Sequence, residues 1–261
     1  MFFSRMEDFL EKNIEGFFNR KFSSSLQILE IEKFLDRLLL RHKKRINRAF
    51  FVPDTFTITM SEADYAELNT VETLNRLKLL LYKTTIQKDY FMAKKPTINI
   101  LKDPKYKLGV CDIKAIFTKN ISQEDLASNN SLIADGDDEF NQGTIVVNSN
   151  NLKEFTKTKN PQDLHFASLI IKKGPDKDSF LAIGDKQIHI GRRDKNEFIV
   201  TDVNVSRLHA YISFENGRHI LHDANSLNGT KVNLQKINCI CLCPKDEIQI
   251  GNTTIVYNLL D

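Results

Sequence analysis

Apolar residues recur every three or four positions at the start of the chain: Met6, Phe9, Leu10, Ile14, Phe17 and Phe18. That spacing predicts a helix over residues 4–22. A polar break follows at Ser23-Ser24-Ser25, and Ile28, Ile31, Phe34, Leu35, Leu38 and Leu39 then predict a second helix reaching about Arg45. The alternation in Thr55-Phe56-Thr57-Ile58-Thr59-Met60, just after Pro53, predicts a strand. Ser61 with Asp64 three residues on marks a helix start. A longer helix is expected over residues 70–88, with Leu74, Leu77, Leu81 and Tyr82 facing inward. Two strands follow, near Thr97–Leu101 and Val110–Phe117, joined through Lys102-Asp103-Pro104. Residues 1–118 therefore read as a compact α+β domain.

The pattern then breaks down. Residues 119–163 are rich in Asn, Ser, Asp, Gly and Gln, with too little apolar surface to offset the entropy of ordering them. They read as a flexible linker, with Ile145-Val146-Val147 a small apolar exception. From residue 164 to 261 the period becomes two. Ile188 and Ile190 alternate, then Leu208, Ala210, Ile212 and Phe214, then Ile248 and Ile250, then Ile255, Tyr257 and Leu259. Short strands between Gly, Asn and Asp turns predict an all-β sandwich.

Composition narrows the classes. The 261 residues are 41% hydrophobic and 27% charged, as in a soluble globular protein. No apolar run reaches the roughly 18 residues of a spanning helix, and Glu7 and Asp8 occupy the place of a signal peptide's apolar core. A cytoplasmic protein is expected. With 37 basic and 34 acidic residues the net charge is +3, which makes no global case for nucleic acid. Cys239, Cys241 and Cys243 alternate, which would place them on one face of a strand; their spacing lacks the pattern of a metal site.

Three polar clusters stand out among the C-terminal strands. They are Gly191-Arg192-Arg193, then Val205-Ser206-Arg207-Leu208-His209-Ala210, then Asp223-Ala224-Asn225-Ser226-Leu227-Asn228-Gly229-Thr230. A phosphothreonine carries about −1.5 to −2 charges and three acceptor oxygens. A guanidinium such as that of Arg192 matches it with two parallel bonds, and a hydroxyl such as that of Ser206 adds a neutral donor. In this order, and followed by Asp246-Glu247-Ile248-Gln249-Ile250-Gly251, the clusters resemble an FHA (forkhead-associated) domain over roughly 70 residues near the C-terminus. The resemblance implies that Arg192 and Ser206 bind the phosphate, with Arg207 joining them. It implies that Asn228 bonds the peptide backbone, and that Gly191, His209, Gly229 and Thr230 are scaffold. It further implies a preference for phosphothreonine over phosphoserine. Two departures, Leu234 and Lys245 where the family has glycines, predict reshaped turns away from the phosphate.

Phe51-Val52-Pro53-Asp54-Thr55-Phe56-Thr57-Ile58 and Ser61-Glu62-Ala63-Asp64-Tyr65, with the opening Met6-Glu7-Asp8-Phe9-Leu10-Glu11, resemble the N-terminal domain of bacterial FhaA-type proteins. That resemblance implies a setting in bacterial serine/threonine kinase signalling and cell-envelope growth. The expected function is a non-catalytic phosphothreonine-peptide-binding adaptor. Its partners would be phosphothreonine-containing proteins, either kinase substrates or the kinase itself. Neither cofactor nor small-molecule substrate is expected, since no catalytic or phosphate-loop motif appears. The protein would reach the membrane through a partner. A second reading rests on Arg37, Arg41, His42, Lys43, Lys44, Arg45 and Arg48. There a basic helix over residues 37–48 would bind nucleic acid or a membrane surface.

Overall fold

The computed structural model describes residues 14–18, 25–118 and 163–260. The predicted linker, apart from Asp163, lies outside the described residues, and so does Ile145-Val146-Val147.

The N-terminal unit is α+β. In chain order it runs β1 (Ile14–Phe18), α1 (Ile28–His42), β2 (Lys44–Ile46), β3 (Ala49–Val52) and β4 (Thr55–Met60). It continues with α2 (Glu62–Leu68), α3 (Val71–Gln87), β5 (Tyr90–Met92), β6 (Thr97–Lys102) and β7 (Cys111–Ile116). A four-stranded sheet has the order β1-β7-β4-β6, with β4 and β6 parallel and the other pairs antiparallel. Phe56, Ile58 and Met60 from β4 meet Ile31, Leu35 and Leu39 from α1 and Leu77 and Leu81 from α3 in one core. The expected start of α2 is present: the Asp64 backbone N–H donates to Ser61 Oγ at 3.2 Å. The buried Asp64 carboxylate accepts from the Leu26 N–H at 2.8 Å and the Gly109 N–H at 2.9 Å, so it ties three chain segments together.

Two expectations fail here, each for a local reason. The helix predicted over residues 4–22 is a strand at Ile14–Phe18; residues 4–13 and 19–22 are outside the described region. Gly16 in a helix interior costs about 1 kcal/mol. In β1 all five residues instead pair with β7, from Ile14↔Ala115 to Phe18↔Cys111. The basic helix over residues 37–48 also does not form, because α1 stops at His42. Lys44 and Arg45 belong to β2, which pairs with β3, and Asn47 turns the chain at φ 53°. Basic residues are thereby split between elements, and Lys43 Nζ sits over the Phe50 ring at 4.6 Å.

Eleven strands form the C-terminal sandwich, β8 (His165–Lys173) through β18 (Thr253–Leu259). One sheet has the order β11-β10-β12-β13-β16, the other β15-β14-β17-β18-β8-β9, with β9 at Phe180–Gly184. The strands used below are β10 (Ile188–Gly191), β11 (Phe198–Ile199), β12 (Ala210–Glu215), β13 (Arg218–Asp223), β14 (Thr230–Val232), β15 (Gln235–Ile237), β16 (Cys239–Cys241) and β17 (Glu247–Ile250). Ile190, Ala210, Ile212, Leu221, Ile248, Ile250, Ile255 and Tyr257 fill the space between the sheets, as the period of two requires. Leu208 breaks the expected series: it precedes β12 and is exposed. Cys243 likewise lies beyond the end of β16, its Sγ 3.5 Å from Arg218 Nη2, so the three cysteines do not share one strand face. Among the described residues no group of three or more His, Cys, Asp or Glu is placed to hold a metal.

The turns where the family has glycine hold positive φ, with Leu234 at 72° and Lys245 at 78°. β14 and β15 are joined by two residues, Asn233 at φ 48° and Leu234 at φ 72°. Positive φ at both positions suits the twist of a two-residue hairpin. Asn233 is held there, its Nδ2 donating to Asp246 at 2.9 Å and its Oδ1 accepting from the Glu247 N–H at 3.0 Å. Leu234 is fully committed to a conformation that costs a residue with a Cβ about 1–2 kcal/mol. Leu234→Gly is therefore expected to stabilise the fold by about 1 kcal/mol, part of the relief being lost to the freer unfolded chain. A denaturant midpoint that stays put or falls would show that the leucine is not strained.

The two units touch. The β12–β13 hairpin turns at Asn216-Gly217, and the Met92 N–H donates to Asn216 O at 2.9 Å. Tyr82 on α3 stacks on Phe166 with ring centroids 4.6 Å apart and meets Phe214 edge-on at 5.3 Å. Tyr82 and Ile86 thus join the sandwich core rather than their own. The fully buried Arg218 donates to Asp89 across the same boundary and lies over the Phe91 ring at 5.2 Å. Lys95 and Asp185 form an ion pair at its rim, 2.6 Å apart.

Candidate functional site

The three polar clusters lie in the loops that follow β10, precede β12 and follow β13, so the sandwich gathers them at one end. The first two loops are stitched together by backbone. The Arg192 N–H donates to Ser206 O, and the Arg193 N–H to Arg207 O, each at 3.0 Å. This approach requires Gly191. A Cβ there would lie 2.7 Å from Arg207 O and 2.8 Å from Ser206 O, inside any tolerable contact. Asn196, itself buried, completes the stitch: its Nδ2 donates to Arg207 O at 2.8 Å and its N–H to Arg193 O at 3.1 Å.

His209 joins the second loop to the third. It is fully buried; Nδ1 accepts from the Ser206 N–H at 3.0 Å, which leaves the proton on Nε2 to face Gly229 O at 3.2 Å. Burial pushes its pKa below the ordinary histidine value, keeping the ring neutral, as an accepting Nδ1 demands. The third loop is wound around Asp223, whose carboxylate accepts from Ser226 N–H at 3.0 Å, Ser226 Oγ at 2.6 Å and Thr230 Oγ1 at 2.6 Å. Burial works to raise the Asp223 pKa, but these bonds outweigh it and hold the group ionised. Asp202 anchors the second loop in the same way, accepting from the Asn204 N–H at 3.0 Å and the Asn252 N–H at 2.7 Å.

Held on this frame, Arg192, Arg193, Ser206 and Arg207 line an open cavity of about 510 Å³, together with Leu208, Asn225 and Leu227. None of the three guanidiniums forms an ion pair with a described residue. Ser206 Oγ accepts from the Leu227 N–H at 3.1 Å, which directs the hydroxyl proton elsewhere. Such a cavity can take an anion with several acceptor oxygens. Three of the sequence-selected residues, Arg192, Ser206 and Arg207, come together here. Asn228 stands beside the cavity, its Nδ2 donating to Asn204 O at 2.8 Å. Gly229, at φ 74°, and Thr230 sit behind it in the third loop and at the start of β14. Sequence reasoning overlooked Arg193, Asn196, Asp202 and Asp223 as parts of the site. The Asx residues carried a signal, since a short carboxylate or amide in a loop between strands commonly caps backbone N–H groups.

Comparison with known proteins agrees with this architecture. Residues 3–114 match the family model of the FhaA N-terminal domain, and residues 188–251 match that of the FHA domain. Over 91 residues the chain is 35% identical to the glycogen accumulation regulator GarA of Mycolicibacterium smegmatis, covering 35% of this chain and 58% of that one. Over 91 residues it is 34% identical to the oxoglutarate dehydrogenase inhibitor of Corynebacterium glutamicum, covering 35% of this chain and 64% of that one. Less than two thirds of either relative's length is therefore spanned. Among solved structures, the FhaA FHA domain complexed with an intracellular domain of another protein is 28% identical, with TM-score 0.33, covering 35% of this chain and 99% of that one. An FHA domain studied for phosphothreonine-dependent interactions is 27% identical, with TM-score 0.34, covering 37% and 98%.

Proposed function

We propose that this chain, which carries an FhaA N-terminal domain followed by an FHA domain, is a non-catalytic adaptor that binds phosphothreonine peptides in proteins of a bacterial serine/threonine kinase pathway. The observation that carries this reading is the convergence of Arg192, Arg207 and the Ser206 hydroxyl on one open cavity, with no carboxylate among the described residues neutralising the two guanidiniums. Arg192 offers the phosphate a planar two-toothed donor, Arg207 a second charge, and Ser206 a hydroxyl already oriented by Leu227 N–H. Asn228 sits where it can exchange its bond to Asn204 O for one to the peptide backbone.

We read the site as one that binds. Its groups are donors fixed by backbone, with His209 turned into the frame rather than toward the cavity. GarA and its corynebacterial relative are named a regulator and an inhibitor, which fits a protein that acts by holding partners. We place it in the cytoplasm, brought to the membrane by a partner; among the described residues no helix is long and apolar enough to cross a bilayer. The partners are kinase substrates or the kinase itself.

A peptide titration tests the reading. Phosphothreonine peptides are expected to bind the full chain at least about tenfold more tightly than phosphoserine or unmodified versions, a difference of about 1.4 kcal/mol. Equal affinity for the three forms would rule it out.

A further inference from the structure

We propose that Arg193 reads a second anionic group on the peptide, a phosphate or carboxylate within two residues of the phosphothreonine. This rests on the phosphothreonine reading above and adds to it a preference for a doubly anionic ligand. The first ground is charge. Three guanidiniums line the cavity and none has an acidic partner among the described residues. One phosphate supplies about −1.5 to −2 charges, so a singly phosphorylated peptide leaves about one positive charge uncompensated.

The second ground is geometry. Arg192 N–H to Ser206 O and Arg193 N–H to Arg207 O are two successive rungs of one short ladder. The Arg192–Ser206 rung holds two of the three proposed phosphate donors, and Arg207, the third, shares the next rung with Arg193. The Arg193–Arg207 rung lies one residue along, about 3.4 Å away, which matches the residue spacing of an extended peptide. That second rung is rigid. Asn196 bonds both of its ends, donating from Nδ2 to Arg207 O and from its N–H to Arg193 O. A planar guanidinium on a fixed backbone selects anions with two coplanar or near-coplanar oxygens, and both a carboxylate and a phosphate present them. Among the described residues only the backbone of Arg193 is hydrogen-bonded, which leaves its side chain to the cavity it lines.

The test is calorimetric titration of the full chain with three peptide sets. One carries phosphothreonine alone, one adds Glu at each position within two residues of it, and one adds a second phosphothreonine at the same positions. At one or more positions the added anion is expected to tighten binding by about twofold to fivefold, the scale of one exposed charge pair. In Arg193→Gln that ratio should fall to near one, whatever happens to the affinity for the singly phosphorylated peptide. A gain in both added sets assigns the subsite to either anion, and a gain in the third alone assigns it to phosphate. The proposal is overturned if no added anion tightens the wild type, or if the gain persists in Arg193→Gln. Failure of the underlying reading looks different, because then the singly phosphorylated peptide does not bind either.

Discussion

Arg192→Ala is expected to weaken phosphothreonine-peptide binding by about 2–5 kcal/mol, the cost of truncating one partner of a hydrogen-bonded charge pair. The change should leave the fold intact. Arg192 is exposed, and what it gives the frame is its backbone N–H to Ser206 O, which alanine keeps. Arg192→Lys should recover only part of the loss, since an ammonium keeps the charge without the planar fork. Ser206→Ala should cost about 1 kcal/mol for the missing hydroxyl. It also deprives the Leu227 N–H of its acceptor, so some loosening of the third loop is expected with it. His209→Ala contrasts with all of these: it removes the link between Ser206 N–H and Gly229 O from a fully buried position and should lower thermal stability first. Titration calorimetry beside a melt of each variant separates the two kinds of effect. Undiminished affinity in a folded Arg192→Ala protein would mean the phosphate binds elsewhere.

Much of this site was legible because its residue types are forced by chemistry local in sequence. Gly191 has carbonyl oxygens where a Cβ would be, so the residue type there is fixed by a close backbone approach. The alternation of Ile188 with Ile190, and of Ile248 with Ile250, follows from two sheets packed face to face. What stayed hidden depends on partners distant in sequence. Apolar positions at Ile14, Phe17 and Phe18 fit a helix as well as a strand, and only the pairing of β1 with β7, about a hundred residues on, decides between them. The three-residue strands β2 and β5 are too short to show any period. The family resemblance puts glycine where Leu234 and Lys245 stand, and these two hold φ 72° and 78°, a region that favours glycine. The bonds that pin Asn233 beside Leu234 could not be read from composition. Tyr82 was correctly placed on an inward face, but the inside it faces belongs to the other unit.

That placement sets the second large effect. Tyr82→Ala is expected to cost about 3–5 kcal/mol, the range for deleting a buried aromatic ring. Tyr82 is 4% exposed, stacked on Phe166 and edge-on to Phe214, and burial pushes its hydroxyl pKa up to about 12. The neighbouring turn of α3 directs Leu77 and Leu81 into the N-terminal core, so the truncation opens a void at the boundary without emptying that core. The wild type should therefore unfold in one transition, and Tyr82→Ala in two, the sandwich and the N-terminal unit parting company. Lys95→Ala serves as the control, since it removes only an exposed rim ion pair worth at most about 1 kcal/mol. Phosphopeptide affinity should be nearly unchanged in Tyr82→Ala. β12 and β13 carry the phosphate loops at one end and the docked Asn216-Gly217 turn at the other, separated by six residues of strand, about 20 Å. Coincident unfolding curves for wild type and Tyr82→Ala would show that the ring contributes nothing across the boundary and that the two units are only tethered. A large loss of phosphopeptide affinity in a variant with both units still folded would show instead that the strands transmit the state of the docked end to the phosphate loops.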